Sequence, residues 1–242
     1  MDILSRCFQP GRNTVASRGQ DSFLNLPGFA ARLYRNLTRA RAIQCQHQEI
    51  AAYLASKIER GRILDVGTGP GRLLFELYQL NPTLELFGLD ISKSMVELAQ
   101  RQLAGLGADV RQGCIQHTGY EDSFFDIVTC TGSFYLWDFA KECLDEVFRI
   151  LKPHRSAYLF ETYSNCDRRE VRNAIRTNLK GESLVRRMLA PYFLKKQLRM
   201  AYDSDEVAGI IEQTRFAHTY AIDRISLGGL PAWLRISLTK EV

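Results

Sequence analysis

The sequence predicts a doubly wound α/β fold: a mostly parallel, seven-stranded Rossmann-like sheet with helices on both faces and an antiparallel hairpin at its end. Three observations predict it. Short apolar runs alternate with helical patterns from residue 62 to residue 162, the signature of parallel strands joined by crossover helices. Prolines at Asn81-Pro82 and Lys152-Pro153 punctuate that alternation, because proline cannot continue a helix and biases its predecessor away from one. The first apolar run, ILDV, leads directly into Gly67, Gly69 and Gly71, at the place where such a sheet carries its ligand turn.

Taken in order, residues 28–58 carry Phe29, Leu33, Leu37, Ile43, Ile50 and Leu54 at loosely helical spacing, broken around 38–46, and predict two helices. Residues 1–27 are mixed, with Pro10, Gly11, Gly19 and Pro27, and predict no regular element. The core follows as strand 62–66, helix 71–80, strand 84–89, helix 93–105, strand 108–112, strand 124–130, helix 139–151 and strand 156–162. Helical stretches are expected between Asp167 and Met200, then a helix opening at Asp203 or Ser204 with acids in its first turn, where the helix dipole favours them. Strands near 216–224 and 231–238 read as the closing hairpin.

At 242 residues, 45% hydrophobic and 24% charged, the chain can bury a substantial core. No apolar core of signal-peptide length stands in the first thirty residues and no run reaches the roughly 18 apolar residues of a membrane helix, so the expectation is a cytoplasmic protein. Cys7, Cys45, Cys114, Cys130, Cys143 and Cys166 form no C-x-x-C pair, and the four histidines are dispersed, which suggests neither a metal site nor a disulfide framework.

The glycine turn discriminates among nucleotide ligands. A dinucleotide fingerprint G-x-G-x-x-G started at Gly67 requires glycine where the chain has Arg72, and started at Gly69 it meets Leu74. No G-K-[ST] follows, so a triphosphate loop is absent. Asp90 ends the second strand, 25 residues after Asp65, where a carboxylate can accept hydrogen bonds from both hydroxyls of a ribose; its bland alternative is a cap for the helix starting near Ser92.

Four segments in order, ILDVGTGPGRL, LFGLDISKSMVELAQ, SFFDIVTCTGSFYLW and ECLDEVFRILKP, resemble the class I S-adenosylmethionine-dependent methyltransferases, of the branch that includes the ubiquinone and menaquinone biosynthesis enzymes. The resemblance covers about residues 47–162. It implies that Gly67, Thr68, Gly69 and Gly71 belong to the S-adenosylmethionine site, the glycines letting the methionine part lie against the backbone. It further implies that Asp65 orients the ammonium group, Asp90 takes the ribose hydroxyls, Ile91 and Met95 flank the adenine, Cys114 and Ile115 complete the adenine pocket, and Thr131 and Gly132 close on the methionine end. One position departs from the family: relatives commonly carry an acid where this chain has Cys114, a poor acceptor for the adenine amino group, leaving backbone groups of Ile115 or the side chain of Gln116 as substitutes.

On this reading the chain is one methyltransferase domain over 1–242, with an N-terminal helical extension (1–60), a cofactor-binding core (61–162), a helical cap insertion (163–202) and a C-terminal helix and strands (203–242). Methyl transfer from a sulfonium is an in-line displacement that depends mainly on alignment, so no dedicated catalytic residue is required. Tyr135 and Trp137, after the fourth strand, are candidates to bound an aromatic or apolar acceptor, with helix packing as the plain alternative. His117 is a candidate base.

Residues 167–199 hold ten cations against three acids, an excess of seven in a chain whose net charge is +5. A basic cap favours an anionic small molecule, RNA or an anionic membrane surface, against the plain reading of a solvated helix face. Val171, Ile175, Leu179, Leu184, Val185, Met188 and Leu189 make these helices amphipathic and suited to a homodimer contact or to lipid. A small-molecule acceptor leads; RNA methylation and a non-catalytic binding subunit are the alternatives.

Overall fold

The computed structural model describes residues 40–241. Its seven strands are β1 (Arg62–Val66), β2 (Glu85–Asp90), β3 (Asp109–Gln112), β4 (Phe125–Thr131), β5 (Leu151–Thr162), β6 (Tyr220–Leu227) and β7 (Leu230–Lys240). They form one sheet in the order β3-β2-β1-β4-β5-β7-β6. The first five pair in parallel and β7 runs antiparallel to both β5 and β6. The chain starts in the middle of the sheet, moves outward to β3, and then returns to lay β4 on the other side of β1. That reversal opens the crevice between β1 and β4 at their carboxyl ends.

The central strands are near-continuous apolar runs because both faces are covered: Ile63, Leu64, Phe125, Val128 and Leu159 are all buried. The crossover helices are α2 (Arg72–Leu80), α3 (Lys93–Gln102) and α4 (Ala140–Ile150). Gly71, with φ near 80°, turns the chain from the loop into α2, and a Cβ there would press on Ala99 and Leu103 of the neighbouring crossover.

Two expectations need correction. The polar stretch 38–46 does not break the N-terminal pattern; residues from Arg41 on belong to one continuous helix, α1 (Arg41–Ala55). No glycine or proline interrupts it, and the polar positions have a tertiary use: buried Gln46 donates through Nε2 to the Leu227 carbonyl (3.3 Å) and Glu49 accepts from the Gly228 N–H (3.0 Å). The helix expected before residue 38, the segment 1–27 and Cys7 lie outside the described residues. The closing hairpin also starts later than expected, at Tyr220. Phe216 is fully buried in a turn held by the Thr214 hydroxyl and by the Thr219 N–H, so its apolar character reflects packing against Phe148 rather than strand pairing.

The cap consists of α5 (Arg168–Asn178) and α6 (Leu184–Met200), and α7 (Ser204–Ile211) leads back to the sheet. Each begins as its sequence prescribes: Asp167 accepts from the N–H groups of Arg169 and Glu170, and Asp203 with Glu206 forms a capping box. The cap is tied to the hairpin tip and to α1: Asn178 donates to the Gly228 carbonyl (2.9 Å), and Glu182 accepts from the Arg41 N–H (2.8 Å). No helix among the described residues is long and apolar enough to cross a membrane.

Candidate active site

The carboxyl ends of β1, β2 and β4 open into a cavity of about 180 Å³. Gly67 and Gly69 form one wall, and both adopt positive φ, 73° and 53°. At Gly67 a Cβ would collide with Ser133 Oγ, whereas at Gly69 it would project into open space. The first glycine is therefore required by the protein and the second leaves room against the backbone for a ligand.

Asp90 faces this loop. Its Oδ2 accepts from the Gly69 N–H (2.8 Å) and its Oδ1 from the Ser92 N–H (2.9 Å). The helix-cap reading and the ligand reading are thus compatible: one carboxylate organises the turn and the next helix, and each oxygen retains a further lone pair toward the cavity it lines. Burial raises its pKa to about 6 against those two hydrogen bonds. Asp65 sits behind the loop, 2% exposed, opposite Gly88 and Thr129 in the sheet, and lines neither cavity described here. Its pKa is pushed up to about 7, by burial first and with Asp90 adding, and its Oδ1 has no hydrogen-bond partner among the described residues. A buried, unpaired carboxylate oxygen behind a glycine turn suits a cationic or hydrogen-bonding ligand group, reached directly or through water.

Ile91 and Met95 line the next stretch of wall, with Gly113, Cys114 and Ile115 across from them and Thr131 and Gly132 at the far end. Cys114 is buried and donates through Sγ to Gln116 Oε1 (3.8 Å). Gln116 does not line the cavity, so of the two substitutes for the missing acid the structure brings only Ile115 to the wall. Thr68 lines the second cavity, and Gly71 shapes the turn without lining either.

Tyr135 and Trp137 are both buried and both line the first cavity. Trp137 also stacks edge-on with Phe134 (5.2 Å between centroids), so each of its two expected roles has a contact. His117 is exposed, in a short bridge to Cys114, and lines neither cavity.

A second cavity, about 220 Å³, adjoins the first and shares with it Gly67, Gly69, Thr131, Gly132, Phe193 and Gln197. Its walls come from four regions distant in sequence: α1 (Ile43, Gln46, His47), the start of α2 (Arg72), the cap (Ile175, Leu179, Glu182, Leu194) and β7 (Leu230, Trp233). Most of that surface is apolar. Four residues that line it carry a buried polar atom without a hydrogen-bond partner among the described residues: Thr68 (Oγ1), Arg72 (Nε), Thr131 (Oγ1) and Trp233 (Nε1). The cap's charge lies elsewhere. Arg168, Arg169, Arg172, Arg176, Lys180, Arg187, Lys195, Lys196 and Arg199 are exposed, and of these only Lys196 reaches a cavity wall.

Sequence reasoning missed His47, Phe193, Gln197 and Trp233. None stands in a motif, and only the folding of α1, α6 and β7 over the sheet end brings them to the site.

Glu161, at the end of β5, anchors the roof of both cavities. It accepts from the N–H groups of Thr162 (2.9 Å) and Tyr135 (3.4 Å), and from the side chain of Gln197. Burial raises its pKa to about 8 despite those bonds. A folded-state pKa above the unfolded value means that this carboxyl supports the fold below about pH 4.5 and increasingly costs stability as pH rises through 8. Glu161→Gln should therefore match the wild type in thermal stability at pH 5 and exceed it by at least about 2 °C at pH 8.5. Thermal melts across that range check this; parallel curves would refute it.

Comparisons with known proteins agree with this geometry. A family model described as "Methyltransferase domain" matches residues 58–214. The chain is 32% identical over 97 residues to the uncharacterized methyltransferase YdaC of Bacillus subtilis, covering 40% of this chain and 54% of that protein. It is also 32% identical over 102 residues to the demethylmenaquinone methyltransferase of Deinococcus radiodurans, covering 41% and 42%. The chain thus spans about half the length or less of these curated relatives. Among solved structures, the plantazolicin methyltransferase BamL, in complex with a triazolic desmethylPZN analog and SAH, superposes with a TM-score of 0.68 at 16% identity over 94% of this chain and 96% of that one, a likeness of fold.

Proposed function

From the premise that the chain belongs to the methyltransferase domain family and is a class I S-adenosylmethionine-dependent methyltransferase, we propose that its acceptor is a small, largely apolar and oxygen-bearing molecule, aromatic in its main body, bound in the second cavity. One observation carries this reading: an apolar chamber next to the cofactor cavity is lined by Arg72 and Trp233, each of which carries a buried N–H without a hydrogen-bond partner among the described residues. Both are donors only, so an occupant that satisfies them brings acceptor oxygens. Burying such donors unpaired costs about 1–3 kcal/mol each, which binding of that molecule would recover.

S-adenosylmethionine supplies an electrophilic methyl on a sulfonium whose thioether is a good leaving group. The residues proposed to hold it are the glycine turn with Asp65 behind it, Asp90 toward the ribose, Ile91, Met95, Cys114 and Ile115 around the adenine, and Thr131 and Gly132 near the methionine end. Phe193 and Gln197 line both cavities, and with Tyr135 and Trp137 of the first they are the residues proposed to exclude water where the two cavities meet. Positioning of this kind can supply up to about 7–11 kcal/mol.

Of the two acceptor characters expected from the sequence, the apolar walls favour the aromatic one. An anionic group would have Arg72 as its partner, with Glu182 opposing on the same wall. The relatives named demethylmenaquinone methyltransferase make aromatic hydroxyl compounds the first acceptors to assay. RNA is placed behind a small molecule because the chamber beside the cofactor cavity is largely apolar, with Arg72 the one arginine or lysine among its lining residues.

The cap's cations have a surface of their own. Leu184, Val185, Met188 and Tyr192 are exposed along the outer side of α6, continued by Lys195 and Arg199, a combination suited to peripheral contact with anionic lipid. Flotation should show binding to anionic but not zwitterionic vesicles, reduced by Met188→Glu. A dimer in light scattering without lipid would assign the face to a second copy instead.

Calorimetry with S-adenosylmethionine tests the central reading. Saturation at about 100 times Kd should stabilise the fold by roughly 2.7 kcal/mol. No heat and no thermal shift at millimolar cofactor would sink it.

A further inference from the structure

The acceptor chamber contains a histidine whose hydrogen-bonding state the backbone fixes. His47 Nδ1 lies 2.7 Å from the Ile43 carbonyl oxygen, one turn back in α1. A carbonyl can only accept, so Nδ1 carries the hydrogen, and in the neutral ring Nε2 holds a free lone pair. Among the described residues the ring's hydrogen bond is the one at Nδ1. The ring lines the second cavity, as does Arg72 at the first turn of α2, whose Nε–H is buried and unpaired.

We propose that His47 is the general base of the reaction and Arg72 its oxyanion partner, and that the acceptor is therefore methylated at, or activated through, a weakly acidic O–H such as a phenol or enol. This rests on the methyltransferase reading above. The acceptor O–H bond breaks and the Nε2–H bond forms; the electron pair left on oxygen, directly or through its conjugated carbon, forms the bond to the methyl carbon as the sulfonium C–S bond breaks and its pair leaves on the thioether sulfur, while Arg72 Nε donates to the acceptor oxygen. The imidazolium returns its proton to solvent after the product leaves.

The electrostatics agree with a base that is neutral at physiological pH. Burial holds the His47 pKa below the usual imidazole value, the Ile43 carbonyl opposing and Arg72 adding to the lowering. The other charged group on that wall is Glu182, whose carboxylate is engaged by the Arg41 N–H and by Arg186. Arg72 itself is paired with Glu76 (2.5 Å), which orients the guanidinium without supplying Nε a partner.

The test uses full-length protein labelled with 15N-histidine and saturated with S-adenosylhomocysteine, with 4-nitrophenol as probe and 4-nitroanisole, which lacks the O–H, as control. The His47 signal, assigned by its loss in His47→Gln, should show one protonated and one unprotonated nitrogen. 4-Nitrophenol should move the unprotonated resonance toward the protonated position and 4-nitroanisole should not. A resonance that 4-nitrophenol leaves in place, or that both compounds move alike, overturns the proposal while the methyltransferase reading stands; failure of S-adenosylhomocysteine to bind would instead overturn that reading. On an O–H acceptor, His47→Gln should lower kcat by about 10²–10⁴-fold with KM little changed. The wild-type rate should rise with pH through a value below 6.5, an inflection absent in the variant.

Discussion

Asp90→Ala weakens S-adenosylmethionine binding by at least tenfold, with the loss read by calorimetry. The substitution removes the charged acceptor proposed for the ribose hydroxyls and, at the same time, the group that receives the Gly69 and Ser92 N–H bonds. Hydrogen bonds to a charged group are worth about 1.5–3 kcal/mol each, and about 1.4 kcal/mol is already a factor of ten. The conservative variant separates the charge from the geometry. Asp90→Asn keeps an acceptor oxygen but loses ionisation, so wild-type affinity should fall as pH drops through about 6, where the buried carboxylate takes up its proton, and the Asn variant should stay flat. Unchanged affinity in Asp90→Ala would show that the ribose lies elsewhere.

Gly67→Ala is expected to damage both stability and binding. The backbone at 67 cannot relax easily, because its N–H donates to the Leu89 carbonyl (2.8 Å) and the next N–H shares that acceptor (3.2 Å). A non-glycine residue at positive φ costs roughly 1–2 kcal/mol, and here the new methyl also meets Ser133 Oγ, itself bonded to the Val66 carbonyl (3.2 Å). Relief requires displacing Ser133 or the loop, and either moves a wall of the first cavity. The melting temperature should fall by about 4 °C or more and affinity by more than about tenfold. The double variant Gly67→Ala, Ser133→Gly should recover part of both, since it removes the collision and leaves only the backbone strain. A single variant that binds normally would mean that the turn does not hold the cofactor.

Legibility from sequence followed how local each determinant is. The strands and crossover helices were readable because apolar runs, Asn81-Pro82 and the capping acids at Asp167 and Asp203 act within a few residues of themselves. Gly67, Gly69, Asp90, Ile91 and Met95, which the family resemblance implies for the cofactor, stand on short segments at the ends of β1 and β2, and all five line the first cavity. Boundaries failed where tertiary packing overrode local character. Phe216 is apolar in order to fill the core beside Phe148 and belongs to no strand, and polar Gln46 sits inside a helix because the Leu227 carbonyl, 181 residues away, needs its amide. His117, the histidine nearest the expected site in sequence, is exposed outside both cavities, whereas His47, unremarkable in sequence, lines the second cavity.

Arg72 shows the division most clearly. In the sequence it told only what the turn was not, a dinucleotide loop; in the fold it lines the second cavity and carries an unpaired buried Nε–H. The sequence by itself determined the doubly wound sheet and the glycine turn, since both depend on chain geometry over a few neighbouring residues, and its resemblance to a known family implied the methyl donor. Only the tertiary structure decided the character of the second cavity, the one proposed for the acceptor. Its walls come from α1, α2, the cap and β7, and whether a charge on those elements faces a ligand or water depends on how they pack: the cap's many cations turned to solvent, and one histidine and one arginine turned inward.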